Sequence, residues 1–361
     1  MQVWRRQLQR VHRVLGILVC AFVLVMSVTG VLLVWKKEYL WLSVPGANAK
    51  IERHRVPEAM DRIQAYYAPG EVRSVRLYSL GLAIHKVYLT ERRYAWFDQQ
   101  GYLVQQWQSN DRFEDWLLDL HHRFLLGNTV GLNIAGVSGI LVVLLCVLGT
   151  IIWWPRRRSY RLGILPKSSR REAWLISHGN LGVSFALPIV LLAFTGILLV
   201  YPSESRSVLV SPWVSTVTPT TINRSQEYRD WRQRIDFVYQ QFPGAEVRWI
   251  SPASEQFPAH SIGFQQTDSL NPTGLSSLRF AQAEVLAGQQ GTVITQSDAG
   301  SWTALERLFR FSYPLHTGEL GLWYRLLLTV IGLALAGLML LSMVSYARSG
   351  RPKRSAFTPH S

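Results

Sequence analysis

Residues 12–35 read HRVLGILVCAFVLVMSVTGVLLVW, and residues 178–201 repeat the same framework as HGNLGVSFALPIVLLAFTGILLVY. Each segment starts with a His-x-x-Leu-Gly motif and reaches a Thr-Gly pair seventeen residues after the histidine. The two copies keep their register at an offset of 166 positions across a whole hydrophobic segment. Uninterrupted apolar runs of this length are typical of helices that cross a membrane.

The 361-residue chain is 48% hydrophobic and 17% charged, as expected for a membrane protein. Its apolar runs predict four spans, each long enough to cross a hydrocarbon core of ~30 Å. The predicted spans are Val14–Trp35, Leu132–Trp154, Leu181–Tyr201 and Leu320–Tyr346. No small-x-small cleavage site follows the first run, so we interpret it as a retained anchor. Cys20 and Cys146 fall inside spans and are predicted to be packing residues.

Basic residues set the predicted orientation, because Lys and Arg near span ends stay in the cytosol. They cluster before the first span, between spans two and three, and after span four: Arg5, Arg6, Arg10, Arg13, Arg156, Arg157, Arg158, Arg161, Lys167, Arg170, Arg171, Arg348, Arg351, Lys353 and Arg354. Both termini are therefore expected in the cytosol. Topology accounts for most of the +15 net charge, and no nucleic-acid partner is expected.

Two polar stretches, about residues 37–118 and 203–312, are then expected on the periplasmic side as small α+β domains. The first contains VPEAMDRIQAYY (56–67), predicted as a helix, and RYAWFDQQGYLVQQW (93–107), whose alternation and Gln-Gly turn predict a hairpin. DRIQAYYAPGEVRSVRL (61–77) and QRIDFVYQQFPGAEVRWI (233–250) share an aromatic helix end, a Pro-Gly turn and a basic strand.

The chain is thus predicted to be an internal duplication, each unit having a span, a polar domain and a second span. Both copies enter the membrane from the same side, so this is a parallel repeat with a pseudo-two-fold axis along the membrane normal. The predicted segments are an N-terminus with the first span (1–36), a first polar domain (37–118), an interfacial segment with the second span (119–154), a basic cytosolic loop (155–173), the third span (174–202), a second polar domain (203–312), an interfacial segment with the fourth span (313–346) and a basic tail (347–361).

His12 and His178 begin the equivalent first and third spans on the cytosolic face, where an imidazole must find a partner. Gly16 and Gly182 follow one helical turn later, which leaves a strip without side chains that admits something flat and bulky. The glycines alone are also compatible with close helix packing. The predicted two-fold axis brings the two histidines face to face, and two imidazoles around one centre are the ligand set of a b-type haem.

The periplasmic face has a second pair of candidate histidine ligands. LHHRFLLGNTVG (120–131) leads into span two, and PLHTGELG (314–321) leads into span four. The same axis would pair His121 or His122 with His316. The match of Leu120-His121 to Leu315-His316 favours His121, but His122 is an alternative ligand. Interfacial anchoring is the alternative role. Arg13, Arg123 and Arg325 are candidates to bind haem propionates, or they face lipid headgroups.

The remaining histidines, His54, His85, His260 and His360, are predicted to have surface or core roles, since no Cys, Asp or Glu lies nearby at ligand spacing. The chain also has no Rossmann glycine fingerprint and no cytosolic segment large enough for a flavin domain. An electron donor would therefore be a separate cytosolic protein, a reduced carrier or membrane quinol.

TGVLLVW, LHHRFLLGNTVG, SHGNLG with FTGILLVY, and PLHTGELG together resemble the PepSY-associated transmembrane family of bacterial inner-membrane proteins over nearly the whole chain. The resemblance implies a four-helix membrane bundle with two periplasmic PepSY-like domains. It also implies two b-type haems, held by His12 with His178 and by His121 with His316, and reduction of a ferric siderophore that releases Fe(II). The alternatives are a haem protein with a quinone or small oxidant as acceptor, or a non-enzymatic membrane protein that binds peptide or protease.

Overall fold

A computed structural model describes residues 2–159, 163–210, 230–241, 244–254, 259–266, 280–286, 292–293 and 304–348. Arg161, His360, most of the basic tail and parts of the second polar stretch lie outside the described residues. The chain divides into two compact units. One contains Met1–Leu32, Leu118–Tyr201 and Gly321–Ser361, and the other contains Leu33–Leu117 and Pro202–Leu320.

The helices and strands are as follows. The α-helices are α1 (Gln2–Val34), α2 (Lys36–Ser43), α3 (Val56–Tyr66), α4 (Phe113–Arg123), α5 (Gly127–Trp153), α6 (Arg171–Val200), α7 (Pro202–Leu209), α8 (Trp231–Gln241), α9 (Ala304–Thr317) and α10 (Leu322–Ala347). The strands are β1 (Val72–Arg76), β2 (Ile84–Leu89), β3 (Arg93–Asp98), β4 (Leu103–Gln108), β5 (Ala245–Ser251), β6 (Ala259–Gln266), β7 (Phe280–Leu286) and β8 (Thr292–Val293). Short 3₁₀ turns occupy Arg53–Arg55, Ser79–Gly81, Thr90–Arg92 and Trp154–Ser159.

Four helices of the described chain are long and apolar enough to cross a membrane: α1, α5 with the turn that follows it, α6 and α10. The prediction of four spans is therefore confirmed, and the chain is a multi-pass membrane protein. The helices α1 and α6 begin about ten residues before the predicted spans, since hydropathy marks only the apolar part of a helix. Large apolar side chains such as Leu187 and Leu333 point outward, as lipid-facing residues do.

Within this bundle, α6 packs on both α5 and α10, and α1 contacts the same two helices. The Arg5 Nη2 group donates to the Ile152 carbonyl at the end of α5 (3.1 Å). In the same way, the Arg171 Nε group donates to the Ser345 carbonyl at the end of α10 (3.3 Å). Each arginine thus satisfies a carbonyl in the last turn of a neighbouring helix, a favourable place for a cation.

The second unit contains one eight-stranded antiparallel sheet in the order β4-β3-β2-β1-β5-β6-β7-β8. The strands of the first polar stretch form one half, those of the second form the other, and β1 joins β5 at the centre with Val75 opposite Ile250. A helix precedes each half, α3 before β1 and α8 before β5. The predicted helix at 56–67 and the predicted hairpin are confirmed, the hairpin turning at Gly101 with φ +86°.

The main hydrophobic core lies between this sheet and the helices α3 and α8. Met60 and Ile63 of α3 and Ile235 and Val238 of α8 are fully buried in it. The Trp231 Nε1 group donates to Gln64 Oε1 (2.7 Å), which ties α8 to α3. The two polar stretches therefore share a core as well as a sheet.

A buried ion pair lies in the same unit. The Lys86 ammonium donates to Asp115 Oδ1 (2.7 Å), and Trp107 Nε1 donates to Asp115 Oδ2 (2.7 Å). The Lys86 Nζ atom also lies over the ring of Tyr94 at 4.8 Å and within 5.5 Å of the Trp96 ring centre. Asp115 and the aromatic faces therefore balance the charge of Lys86, and Asp115 also attracts the half-buried Lys36 nearby.

Two of the histidines predicted to have surface or core roles are buried in the sheet. The Tyr78 backbone N–H donates to His85 Nδ1 (3.2 Å), and the Ala253 N–H donates to His260 Nδ1 (2.9 Å). Because Nδ1 accepts in both, both rings are neutral with the proton on Nε2. Burial lowers the pKa of His85 to about 4, and burial with the nearby charge of Arg234 lowers that of His260 to about 4. His54 is exposed.

These two histidines predict that stability falls in acid. Between the ordinary histidine pKa of about 6.5 and the folded value, the unfolded chain binds protons that the folded chain does not. Stability is therefore present above pH 6.5 and is lost as the pH falls towards 4, by about 3 kcal/mol for the fully buried His85 and by less for His260. Thermal unfolding of the detergent-solubilised protein from pH 7.5 to 4.5, followed by tryptophan fluorescence, measures this loss.

The matched variant is His85→Asn, which keeps an acceptor near the position of Nδ1 and removes the titrating ring. It should show a shallower fall of melting temperature with pH than the wild type. Equal slopes for both proteins would contradict this explanation.

Candidate functional site

His12 of α1 and His178 of α6 lie next to each other inside the helix bundle. Their ring centroids are 6.2 Å apart, and the ring planes make an angle of 73°. Both side chains are half-buried. The sequence offset that aligned these residues thus identified two histidines that meet in space, on helices that both border α5 and α10.

The His178 ring is held by α10. Its Nδ1 atom lies 3.1 Å from the Ser342 hydroxyl and 3.3 Å from the Leu338 carbonyl oxygen. The Ser342 hydroxyl in turn donates to the Leu338 carbonyl (2.9 Å). The orientation of this imidazole is therefore set by two groups one helical turn apart.

The His12 ring has a different neighbour. A Cβ atom added to Gly149 of α5 would lie 3.2 Å from His12 Cε1, so the absence of a side chain at Gly149 lets the ring approach α5 closely. The Nδ1 atom of His12 is buried, and within the described part of the chain it has the Leu145 backbone carbonyl nearby but no side-chain partner. The two imidazoles therefore have unequal surroundings.

The spacing of the two rings fits a metal between them. Imidazoles on opposite sides of one ion coordinate it at about 2 Å, and with each ring centre about 1 Å further out the centroids are roughly 6 Å apart. Among the described residues, no group of three or more His, Cys, Asp or Glu side chains could hold a metal ion. A histidine pair of this kind suits a haem iron, whose remaining ligands belong to the porphyrin.

His121 of α4 packs against α1 at a different level of the bundle. Its Nδ1 atom lies 2.9 Å from the Thr29 hydroxyl, which donates to the Val25 carbonyl (2.7 Å). A Cβ atom on Gly30 would lie 3.1 Å from His121 Cε1. The Thr29-Gly30 pair therefore has a use here: the threonine hydroxyl contacts the imidazole ring, and the glycine leaves room for it.

The neighbouring His122 is exposed, and its ring centroid lies 5.7 Å from that of His121. His316 lies at the C-terminal end of α9, in the second unit. Its pairing with His121 or His122 stays a prediction. Backbone with positive φ occurs at Phe124 and Leu125, at Gly127 where α5 begins, and at Gly318 and Gly321 before α10.

The other predicted site residues are two glycines and three arginines, and they differ in what lies around them. A Cβ atom on Gly16 would meet nothing within 4 Å, and one on Gly182 would meet only Leu338 Cδ2 at 3.6 Å. Arg13 is exposed. Arg123 pairs with Asp119 (3.2 Å) and donates to Asn128 Oδ1 (2.9 Å), so it ties the end of α4 to the start of α5. A role for Arg13, Arg123 or Arg325 in binding propionates stays a prediction.

Gly149 and Ser342 were not predicted as site residues from the sequence. Both lie on α5 and α10, which contribute no predicted ligand to this site, and nothing in their own helices marks them. The one sequence signal is their spacing. Gly149 and Ser342 are 193 positions apart, and so are Ile152 and Ser345, whose carbonyls accept hydrogen bonds from Arg5 and Arg171.

Comparison with known protein families agrees with a chain that has membrane-spanning helices. A family model described as the PepSY-associated TM region matches residues 9–348. A search of curated proteins finds no match.

Proposed function

Since the chain belongs to the PepSY-associated transmembrane family, we propose that it is a di-haem b reductase of the bacterial inner membrane. It would take electrons from the cytosolic side and pass them to a periplasmic acceptor, for which we propose ferric iron in a siderophore. The observation that carries this proposal is the 6.2 Å approach of the His12 and His178 rings, at a separation that suits two axial ligands of one iron.

The proposal includes the internal duplication and its orientation, with both termini in the cytosol. Support comes from contacts that recur at constant offsets. Val31 faces Gly332, and Ile197, 166 positions after Val31, faces Gly139. Arg5 and Arg171 repeat the same helix-end hydrogen bond. The cluster of arginines at these helix ends fits the cytosolic face.

In this scheme His12 and His178 hold the cytosolic-side haem, and His121 with His316 hold the periplasmic-side haem. When bound, haem supplies one-electron redox chemistry at a potential set by its axial ligands and surroundings. Gly149 and Gly30 leave space for the rings of His12 and His121, and Ser342 and Thr29 orient His178 and His121. His121 is preferred to the exposed His122 because it is fixed against α1.

The proposed substrate is Fe(III) bound by a siderophore on the periplasmic side, where the two PepSY-like halves of the sheet would dock it. Siderophores bind Fe(III) through hard oxygen ligands, and Fe(II) is held less tightly. Reduction by one electron would release the metal for uptake. The electrons would come from a separate cytosolic donor or from quinol, since no nicotinamide or flavin fingerprint is present in the sequence.

The proposal predicts that chemically reduced protein is reoxidised by ferric siderophores. Each electron lost converts one Fe(III) to Fe(II), so a ferrous chelator should trap one Fe(II) per haem reoxidised. His316→Ala should slow this reaction, because His316 would hold the haem nearest the periplasm. Stopped-flow absorbance with chelator trapping measures both quantities, and the exposed His54→Ala variant is the control.

A panel of ferric siderophores that leaves the reduced spectrum unchanged, while a quinone or another small oxidant bleaches it, would contradict the iron proposal. The transmembrane electron route would then remain with a different acceptor. A protein that binds peptide or protease and carries no haem would contradict both the iron proposal and the transmembrane electron route.

A further inference from the structure

The position of the proton on His178 follows from its neighbours. A carbonyl oxygen can only accept, so the 3.3 Å contact between Leu338 O and His178 Nδ1 requires a proton on Nδ1. The Ser342 hydroxyl donates its only hydrogen to the Leu338 carbonyl. Its oxygen therefore accepts a hydrogen bond from His178 Nδ1 at 3.1 Å. The neutral ring then carries its lone pair on Nε2, the atom on the far side from α10.

The opposite histidine lacks such a partner. At the corresponding position of α5 stands Gly149, which has no hydroxyl, so the buried Nδ1 of His12 has the Leu145 backbone carbonyl beside it but no side-chain partner among the described residues. The two ring centroids lie 6.2 Å apart with the rings edge-on, and among the described contacts only His178 is oriented by a side chain.

We propose that Ser342 is a positioning residue that keeps the His178 proton on Nδ1 and leaves the lone pair of Nε2 for the haem iron. This rests on the proposed haem function. A hydrogen bond from the outer ring nitrogen fixes the tautomer and raises the basicity of the coordinating nitrogen. A more basic ligand favours ferric over ferrous iron, so Ser342 lowers the midpoint potential of the cytosolic-side haem.

A hydroxyl that donates to the carbonyl four residues earlier is common in helices and does not by itself indicate a role. Ser345 does the same one turn later on α10, donating to the Leu341 carbonyl (2.7 Å), and its hydroxyl contacts no histidine. Ser342 differs from Ser345 in that its hydroxyl also contacts the His178 imidazole. Ser345→Ala is therefore a matched control, the same substitution in the same helix.

The experiment compares wild type, Ser342→Ala, Ser342→Thr and Ser345→Ala as full-length protein in detergent, by haem content and by potentiometric titration. In Ser342→Ala the midpoint potential of one haem should rise and that of the other should stay. The same haem should be retained more weakly, by roughly 10-fold, as is usual when an outer hydrogen bond to a metal-binding histidine is lost. Ser342→Thr should restore the wild-type potential, and Ser345→Ala should match it.

Equal potentials in wild type and Ser342→Ala, or an equal shift in Ser345→Ala, would overturn the assignment. If wild-type protein carries no haem, the proposed function fails, and the assignment is tested separately by ¹⁵N NMR of histidine-labelled protein. His178 should then show the Nδ1–H tautomer in wild type and change in Ser342→Ala. An Nε2–H tautomer in wild type would overturn it.

Discussion

His178→Ala is expected to lower the haem content of the purified protein from two per chain to one. Under the proposed function, the haem that His12 and His178 would hold loses one of its two protein ligands in this variant. His12→Ala should remove the same haem, and His316→Ala should remove the other one. Haem extraction and reduced-minus-oxidised spectra of each variant measure these losses.

Controls make this result specific. His54→Ala changes an exposed histidine and should keep both haems. His121→Ala and His122→Ala are compared directly, and only the first should lose the periplasmic-side haem, because His121 is the ring fixed by Thr29. If His12→Ala and His316→Ala affected the same haem, the proposed pairing would be wrong.

Asp115→Ala is expected to cost about 3–5 kcal/mol in the free energy of unfolding, because it leaves the buried Lys86 ammonium without its carboxylate. Lys86 and Asp115 are each at most 9% exposed at their side chains. Burial alone would raise the pKa of Asp115, but the charge of Lys86 and the hydrogen bonds from Lys86 and Trp107 lower it. Thermal and denaturant unfolding followed by tryptophan fluorescence measures the cost.

Two further variants separate burial from pairing. The double change Lys86→Met with Asp115→Leu removes both charges and should cost less than Asp115→Ala alone. Glu58→Ala breaks an exposed pair with Arg232 (3.4 Å) and should cost less than about 1 kcal/mol. A loss in Asp115→Ala no larger than that in Glu58→Ala would show that the buried pair is dispensable.

The sequence predicted those features that depend on one segment at a time. The four spans follow from run length, the helix at 56–67 from periodicity, and the hairpin at 93–107 from alternation around a Gln-Gly turn. The repeat offset went further and selected His12 and His178, because equivalent positions in a repeat tend to meet around a common axis.

Features that depend on which faces meet were not predictable. Gly149 and Ser342 lie on α5 and α10, and a single helix does not reveal which neighbour it will have. The pairing of β1 with β5 joins segments about 170 residues apart, and hydrophobic alternation specifies the face of a strand rather than its partner. The burial of Lys86 was hidden for the same reason: its aromatic neighbours Tyr94, Trp96 and Trp107 come from β3 and β4, whereas Lys86 lies on β2.

The most direct test of the central claim is a reduced-minus-oxidised absorbance spectrum of the purified full-length protein, with haem quantified per chain. The proposed structure of the site predicts the spectrum of low-spin b-type haem and two haems per chain. Folded protein that contains no haem, after expression with sufficient haem supply, would contradict the whole proposal of electron transfer.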